Sequence, residues 1–306
     1  MSLKISPDST AFSQVLEFSS HHNKNNFILN DTNIKLINYG IPFVIRKFFP
    51  EKLCKSLQDL HLISKKVNDA LLPVEYYNNP HYETTGSFAK HLTFKEYIEY
   101  LLSPEKEDIL YLVLDLYNKH RRIRDRTIEN KKGSIFELLN DIISNNKILD
   151  KQLFYNTERR VLFLGKNTIT QTHYHDRQEA ILHQITGTKY VYLFPPDNHL
   201  FYQMKPYPWY TTKHLWSQIM FKFKDFSDFE KAAEQKSLTN GFKAILEPGD
   251  SLYIPIYWWH TVFGENISMS VSDFFSTSFC KKYFSPFGIR TRFAPKSNNG
   301  NKLVIV

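Results

Sequence analysis

Histidines and carboxylates gather in two short segments of the sequence. The first runs T-Q-T-H-Y-H-D-R-Q-E over residues 170–179, and the second runs P-G-D-S-L-Y-I-P-I-Y-W-W-H over residues 248–260. Side chains two positions apart in a β-strand point to the same face, so we expect His173 and His175 to face one way. Two histidines and one carboxylate on one face, with other positions open, are typical of non-haem Fe(II) oxygenases.

The candidate metal ligands are His173, His175 and His260, with Asp176 and Glu179 as alternatives. A His-x-His pair is weak evidence by itself in a chain with 12 histidines. A histidine beside two tryptophans is more often a core residue than a ligand. The combination is stronger, because a Pro-Gly-Asp turn, a strand that ends at proline and a histidine follow one another in the second segment. This strand–turn–strand unit is expected to pair with the His-x-His strand.

Strand patterns continue on both sides of these segments. Short β-branched and aromatic runs alternate with Gly, Asn and Asp, which predicts an antiparallel barrel or sandwich. The predicted strands are 160–165, 168–175, 180–185, 189–196, 243–247, 251–255, 260–264 and 267–275.

Helical patterns dominate the sequence before the strands. Leucines at helical spacing follow Pro50, and Thr93 with Glu96 forms a capping-box pattern at the start of 93–103. The predicted organisation is a mainly helical part with one early strand (41–49), a barrel that contains an insertion, and a basic tail. The bounds are 1–150 for the helical part, including a helix at 134–147, 151–280 for the barrel, 197–240 for the insertion with a helix at 226–235, and 281–306 for the tail.

Five motifs in the chain resemble those of the JmjC/cupin-8 oxygenases, a family that includes protein asparaginyl and lysyl hydroxylases and a tRNA wybutosine hydroxylase. The likeness covers about residues 40–280. The motifs are Thr170-x-x-His173, Gln184-x-x-Gly187-x-Lys189, Leu193-x-Pro195-Pro196, Leu246-x-Pro248-Gly249-Asp250-x-Leu252-Tyr253-Ile254-Pro255 and Trp258-Trp259-His260-x-Val262.

The resemblance implies an all-β core, a double-stranded β-helix of the cupin or jelly-roll type, with substantial N-terminal and inserted helices and an α+β chain overall. It also implies Fe(II), usually with 2-oxoglutarate and O2. Lys189 would then pair with the distal carboxylate of 2-oxoglutarate, and Thr170 would hydrogen-bond the same group.

The chain departs from the family pattern at its third ligand. The family's aspartate position is occupied by His175, and Asp176 comes one residue late. Strand alternation favours His175, whereas a β-bulge would present Asp176. The general cupin spacing fits His175 and Glu179. We therefore predict a metal site of His173, His175 and His260, and we note Ala180 and Ser272 where the family has asparagines near the oxo-acid.

Three functions compete on these residues. The leading hypothesis is a 2-oxoglutarate-dependent hydroxylase whose substrate is a protein side chain, a tRNA or a small molecule. The second is a three-histidine dioxygenase that oxidises a small molecule without 2-oxoglutarate. The third is a catalytically inert cupin that binds metal and serves as an interaction module.

Composition sets the wider context. The chain has 306 residues with a net charge of +8, which allows an anionic partner. No apolar run approaches the ~20 residues that cross a bilayer, so no membrane association is expected. Its two cysteines cannot form a disulfide framework, which favours a reducing, cytoplasmic location.

Overall fold

The structure is a computed structural model of the whole sequence, and it describes most of the chain between residues 12 and 276. None of the helices in this described part is long and apolar enough to cross a membrane. The described residues are 12–19, 22–23, 26–27, 31–49, 51–67, 71–77, 88–104, 109–118, 157–175, 178–196, 226–235 and 241–276.

Strands form most of the described structure. Twelve of them belong to one sheet, and two short ones (His22–Asn23 and Asn26–Phe27) form a separate hairpin. The strands are β1 (Phe12–Gln14), β2 (Leu16–Ser19), β3 (His22–Asn23), β4 (Asn26–Phe27), β5 (Phe43–Arg46), β6 (Leu71–Tyr77), β7 (Phe88–Thr93), β8 (Ile109–Asn118), β9 (Thr157–Lys166), β10 (Ile169–His173), β11 (Glu179–Phe194), β12 (Gly241–Leu246), β13 (Ser251–Ile254) and β14 (Trp259–Phe275).

Five helices accompany the sheet in the described residues. They are α1 (Asp31–Asn38), α2 (Glu51–Gln58), α3 (Leu60–Lys66), α4 (Phe94–Leu102) and α5 (Phe226–Gln235). The predicted capping box at α4 is confirmed: the Glu96 amide donates to Thr93 Oγ1 over 3.2 Å, and the Thr93 amide donates to the Glu96 carboxylate over 2.7 Å. The predicted inserted helix is confirmed as α5.

Two long strands organise the barrel. β14 pairs with β11 along nearly its whole length, while its first part also pairs with β10 and its second part with β9. On the other side of β11, the first part pairs with β13 and the second with β12. Each long strand therefore pairs with different neighbours along its first and second parts, which is the arrangement of a double-stranded β-helix, as predicted. The runs predicted as 180–185 and 189–196 form one strand, and so do those at 260–264 and 267–275.

An irregularity in β11 explains the Gln-x-x-Gly-x-Lys motif. The register with β14 shifts between Gln184 and Thr188, where Gly187 adopts a φ of 70°. A Cβ there would lie 2.3 Å from the Ile267 carbonyl oxygen, so only glycine fits. The side-chain amide of Gln184 (Nε2) donates to the backbone carbonyls of Thr186 and Gly187 over 2.7 and 2.9 Å. These bonds give the carbonyl groups in the bulge hydrogen-bond donors and stabilise the backbone that leads to Lys189.

The sheet separates two hydrophobic clusters. One lies between the sheet and the helices and includes Phe43, Phe94, Tyr97 and Leu112. The other lies on the barrel side and consists mostly of small and branched side chains of β9, β11, β12 and β13, together with Trp258 and Phe274. Its small residues, such as Ala180, leave room for a cavity, which determines where chemistry can occur.

The prediction of one early strand before residue 150 is wrong. Besides β5, the described residues there include β6, β7 and β8, which extend the sheet beyond β9. Leu110, Leu112, Leu114 and Leu116 are all buried, a spacing of two along β8. Short apolar runs fit a helix or a strand almost equally well, and here pairing with β9 decides for the strand. The predicted helix 134–147, residues 197–225 of the insertion and the tail 281–306 lie outside the described residues.

The Pro-Gly-Asp turn is anchored by its aspartate. The Asp250 carboxylate, on a residue that is 4% exposed, accepts hydrogen bonds from the Lys47 amide at 3.1 Å, the Glu247 amide at 3.0 Å and the Arg46 guanidinium. This carboxylate links β5 to the turn before β13, the strand that lies within the second histidine-containing segment.

We expect Asp250→Ala to lower the free energy of unfolding by about 2–3 kcal/mol, because buried backbone amides and a guanidinium lose a charged acceptor. The measurement is urea unfolding. Glu17→Gln is the matched control, since it removes the charge of the other, more exposed carboxylate that pairs with Arg46. It is expected to cost less than about 1 kcal/mol. Equal losses in the two variants would contradict the anchoring role of Asp250.

Candidate metal centre

Three histidines meet at one end of the barrel cavity. One ligand nitrogen from each of His173, His175 and His260 lies within 4.8 Å of the other two. The ring centroids of His173 and His260 are 4.2 Å apart, and those of His175 and His260 are 4.7 Å apart. The structure thus brings together the three residues predicted as the ligand set.

Backbone irregularity places these rings. His173 is the partner of His260 across the β10–β14 ladder, and the register slips between Thr170 and His173, so both of these β10 residues line the same cavity. The strand ends at His173, and His175 follows outside it. The Tyr257 amide, in a residue with a φ of 66°, donates to the His175 carbonyl over 2.9 Å and holds this segment in place.

Burial favours the neutral form of two of these imidazoles, those of His175 and His260. It lowers the pKa of His175 well below its ordinary value, and the neighbouring His173 and Arg159 lower that pKa further. Burial is also the main cause that lowers the pKa of His260 well below its ordinary value, and the neighbouring His173 and His175 lower that pKa further. Neutral imidazole is the form that binds a metal ion.

Hydrogen bonding fits the same use. The Nδ1 atom of His260 lies 3.0 Å from the Trp258 carbonyl oxygen, which can only accept, so Nδ1 carries the proton and Nε2 is left as a ligand. The Nδ1 atom of His175 is buried without a hydrogen bond to any described residue. A buried imidazole nitrogen without a partner is costly, and a metal ion near this ring would compensate. The donor set therefore fits a divalent metal of the iron or zinc type.

The two alternative carboxylates stand differently. Asp176 lies outside the described residues. Glu179 is fully buried at the start of β11 but does not belong to the three-histidine group. Its neighbour Ala180 lines the cavity, so strand alternation directs Glu179 to the other face.

A cavity of about 360 Å³ extends from the histidines into the barrel. Aliphatic and aromatic side chains form most of its wall, and its charged side chains are cationic. The lining residues are Tyr111, Val113, Arg159, Val161, Phe163, Thr170, His173, His175, Gln178, Ala180, Leu182, Lys189, Ile254, His260, Val262, Ser272 and Phe274. Thr170 and Lys189, the residues predicted to bind the co-substrate, are both among them.

Lys189 is a buried cation in this cavity. Its side chain is 2% exposed, its ammonium donates to Ser270 Oγ, and it lies 5.5 Å from the centroid of the Phe163 ring. Among the described residues no carboxylate pairs with it. Burial lowers its pKa to about 7. A lysine in such a site is stabilised by any carboxylate that enters the cavity.

Sequence reasoning missed several cavity residues. Tyr111, Phe163 and Arg159 line the cavity from strands β8 and β9. Ser270, which accepts a hydrogen bond from the cavity residue Lys189, comes from the second part of β14. The strands 160–165 and 267–275 are predicted from the sequence, whereas β8 is not. The predicted strand 160–165 begins after Arg159, and period-two alternation extended to residue 159 would put Arg159 and Phe163 on one face. No motif marks Ser270.

Comparison with known proteins gives the chain its context. Residues 35–281 match the family described as "Cupin-like domain". The chain is similar to JmjC domain-containing protein D of Dictyostelium discoideum, with 28% identity over 80% of this chain and 53% of the relative. It is also similar to lysine-specific demethylase JMJ30 of Arabidopsis thaliana (38% identity over 36% of this chain and 24% of the relative).

A third relative, lysine-specific demethylase 8 of Xenopus tropicalis, is 32% identical over 36% of this chain and 23% of its own length. The matched part of the chain thus spans about half or less of these curated relatives. The resemblance read from the histidine, lysine and Pro-Gly-Asp motifs is confirmed by these matches.

Proposed function

The chain belongs to the cupin-like domain family, and from this membership we propose that it is a non-haem Fe(II) oxygenase that uses 2-oxoglutarate to hydroxylate a C–H bond. Fe(II) and 2-oxoglutarate fit the JmjC proteins of this family. The observation that carries the proposal is one cavity that holds three converging imidazoles and a buried lysine.

Each residue has a distinct task in this proposal. His173, His175 and His260 hold the metal, which, when bound, supplies the activation of O2 that accompanies conversion of 2-oxoglutarate to succinate and CO2. Lys189 binds the distal carboxylate of 2-oxoglutarate, and Thr170 hydrogen-bonds it. The apolar walls exclude water, which strengthens the lysine–carboxylate attraction.

The cavity supports hydroxylation over lysine demethylation, the activity in the names of two relatives. A methylated ammonium is recognised by aromatic faces and acidic groups. Here the Phe163 and Phe274 rings already contact Lys189 and Arg159, each with 5.5 Å between the cationic atom and the ring centroid. No Asp or Glu is among the described residues that line the cavity.

The third histidine favours one alternative. Three neutral imidazoles are also the ligand set of cupins that oxidise small molecules without 2-oxoglutarate. In that case Lys189 would pair with a carboxylate of the substrate itself. The two functions differ in whether 2-oxoglutarate is consumed.

The test is turnover of 2-oxoglutarate by the full chain after anaerobic loading with Fe(II). We expect O2-dependent succinate formation in the parent protein, even without a further substrate, and its loss in Lys189→Met. His61→Ala, which changes an exposed histidine of α3, is the matched control and should keep parental turnover.

Two other outcomes would redirect the assignment. Metal binding without 2-oxoglutarate binding or turnover would favour the three-histidine dioxygenase. Metal binding without O2 consumption, with or without an added small molecule, would leave the catalytically inert cupin that serves as an interaction module.

A further inference from the structure

The cavity contains a second cation that the proposed function does not use. We infer that the substrate carries a carboxylate group and that Arg159 binds it at the outer end of the cavity. This inference rests on the proposed function for the oxidation step and adds the chemical class of the substrate.

Arg159 and Lys189 stand at different levels of the barrel. Along β9, residues 159, 161 and 163 face the cavity in turn, and Lys189 contacts the ring of Phe163. Arg159 and Phe163 are four positions apart, which corresponds to about 13 Å along β9. The Arg159 side chain is 39% exposed, whereas Lys189 is buried, so Arg159 lies at the solvent end. One anion at Lys189 therefore leaves Arg159 available for another.

The guanidinium is held in place but only partly used. Its Nε donates to the Asp115 carboxylate over 2.7 Å, and its Cζ lies 5.5 Å from the centroid of the Phe274 ring. Its two terminal amino groups make no hydrogen bond to the described residues. The adjacent Arg160 differs, since it forms two bonds with the Asp273 carboxylate, at 2.6 and 3.0 Å. A fixed guanidinium with free N–H groups suits a carboxylate, which accepts through two oxygens in a plane.

The charge of the cavity points to the same ligand. The Arg159 guanidinium lies against the same Phe274 ring as His175, with 5.5 Å from its Cζ and 5.1 Å from the His175 ring centroid to the centroid of that ring. The described lining includes two cationic side chains and no acidic one, and the three imidazoles do not neutralise a divalent metal. A cavity of one sign, with low-dielectric walls, concentrates ligands of the opposite sign. A phosphate dianion has more acceptor oxygens than this single guanidinium can satisfy, so a carboxylate is the better match.

The experiment compares probes that differ only in charge. N-acetyl-aspartate and N-acetyl-glutamate N-methylamides are titrated against their asparagine and glutamine counterparts, with N-acetyl-phosphoserine N-methylamide as the phosphate arm. The protein is the Zn(II)-loaded full chain with saturating N-oxalylglycine, an analogue of 2-oxoglutarate, so that Lys189 is occupied. Binding is followed by ligand-observed NMR.

At least one carboxylate is expected to bind about tenfold more tightly than its amide counterpart. Arg159→Gln should abolish the preference and Arg159→Lys should keep part of it. Lys166→Gln, which removes a cation of the same strand outside the cavity, is the matched control and should keep all of it. If Arg159→Gln misfolds because Asp115 loses its partner, the double variant Arg159→Gln/Asp115→Asn removes both charges and tests the same loss.

The inference is overturned if no carboxylate is preferred over its amide, if the preference survives in the Arg159 variants, or if the phosphate probe binds best. It is also overturned if Arg159→Gln weakens N-oxalylglycine itself, since Arg159 would then bind the co-substrate. Failure of the proposed function is a separate result, because it appears as absent N-oxalylglycine binding in the parent protein.

Discussion

His175→Ala is expected to lower the affinity of the protein for Fe(II) at least about a hundredfold, and so to lower the iron that it retains after desalting. The same result is expected for His173→Ala and His260→Ala. Loss of a residue that only supports a ligand already costs about 10- to 100-fold in metal affinity, so loss of a ligand itself should cost more. The ligand nitrogens of the three rings lie within 4.8 Å of one another, so all three can bind the same ion directly. Iron per protein, measured by mass spectrometry after anaerobic loading and desalting, gives the result.

Asp176→Ala separates the two views of the third ligand. We expect it to keep most of the iron, because His175 already completes the group. His61→Ala, an exposed histidine far from the cavity in sequence, controls for general loss of imidazole. Loss of iron in Asp176→Ala with retention in His175→Ala would restore an ordinary site of two histidines and one carboxylate, and the three-histidine assignment would be wrong.

Much of this centre was predictable because the sequence marks special backbone positions. Gly187 is required where β11 bulges, and Asp250 is required where a turn must be tied to Arg46. Such residues identify both the barrel and the strands that hold His173 and His260. Alternation also predicted His175 at the site, although the physical route differs, since β10 ends at His173 and a hydrogen bond from Tyr257 fixes the next residues.

Other features depend on contacts between distant strands and could not be predicted. The extension of the sheet through β8 depends on pairing with β9, and that pairing brings Tyr111 and Arg159 to the cavity. The environment of Lys189 depends on Ser270 and Phe163, which no spacing rule connects to it. The sequence predicts a lysine near the co-substrate, but it does not reveal the free-energy cost of burying that lysine.

That cost should make 2-oxoglutarate binding depend on pH. Burial lowers the pKa of Lys189 from 10.5 to about 7, so a large part of the ligand-free protein holds a neutral amine above that pH. A bound carboxylate favours the charged form, so binding above pH 7 takes up a proton. The dissociation constant for 2-oxoglutarate is therefore expected to rise about tenfold per pH unit above 7 and to level off below it.

Calorimetric titration of the Zn(II)-loaded protein at several pH values, in buffers of different ionisation enthalpy, measures both the constant and the proton count. We expect close to one proton per ligand at pH 8.5 and fewer at pH 6. Lys189→Met should bind 2-oxoglutarate weakly and without this proton uptake. Lys243→Met is the matched control, because Lys243 pairs with Glu230 at 2.6 Å and does not line the cavity.

The same lysine makes the stability of the ligand-free protein depend on pH. Since the pKa of Lys189 is lower in the folded than in the unfolded protein, the unfolded state binds more protons between about pH 7 and pH 10.5, and stability rises with pH across that range. The full penalty is present below pH 7, where both states are charged. Urea unfolding should show Lys189→Met to be more stable than the parent by roughly 3–5 kcal/mol at pH 7, with the difference shrinking towards pH 10. The prediction is wrong if the difference in free energy of unfolding between the parent and Lys189→Met does not change with pH. Water or a bound anion would then already offset the cost of burying this lysine. The predicted proton uptake on binding 2-oxoglutarate would be absent as well.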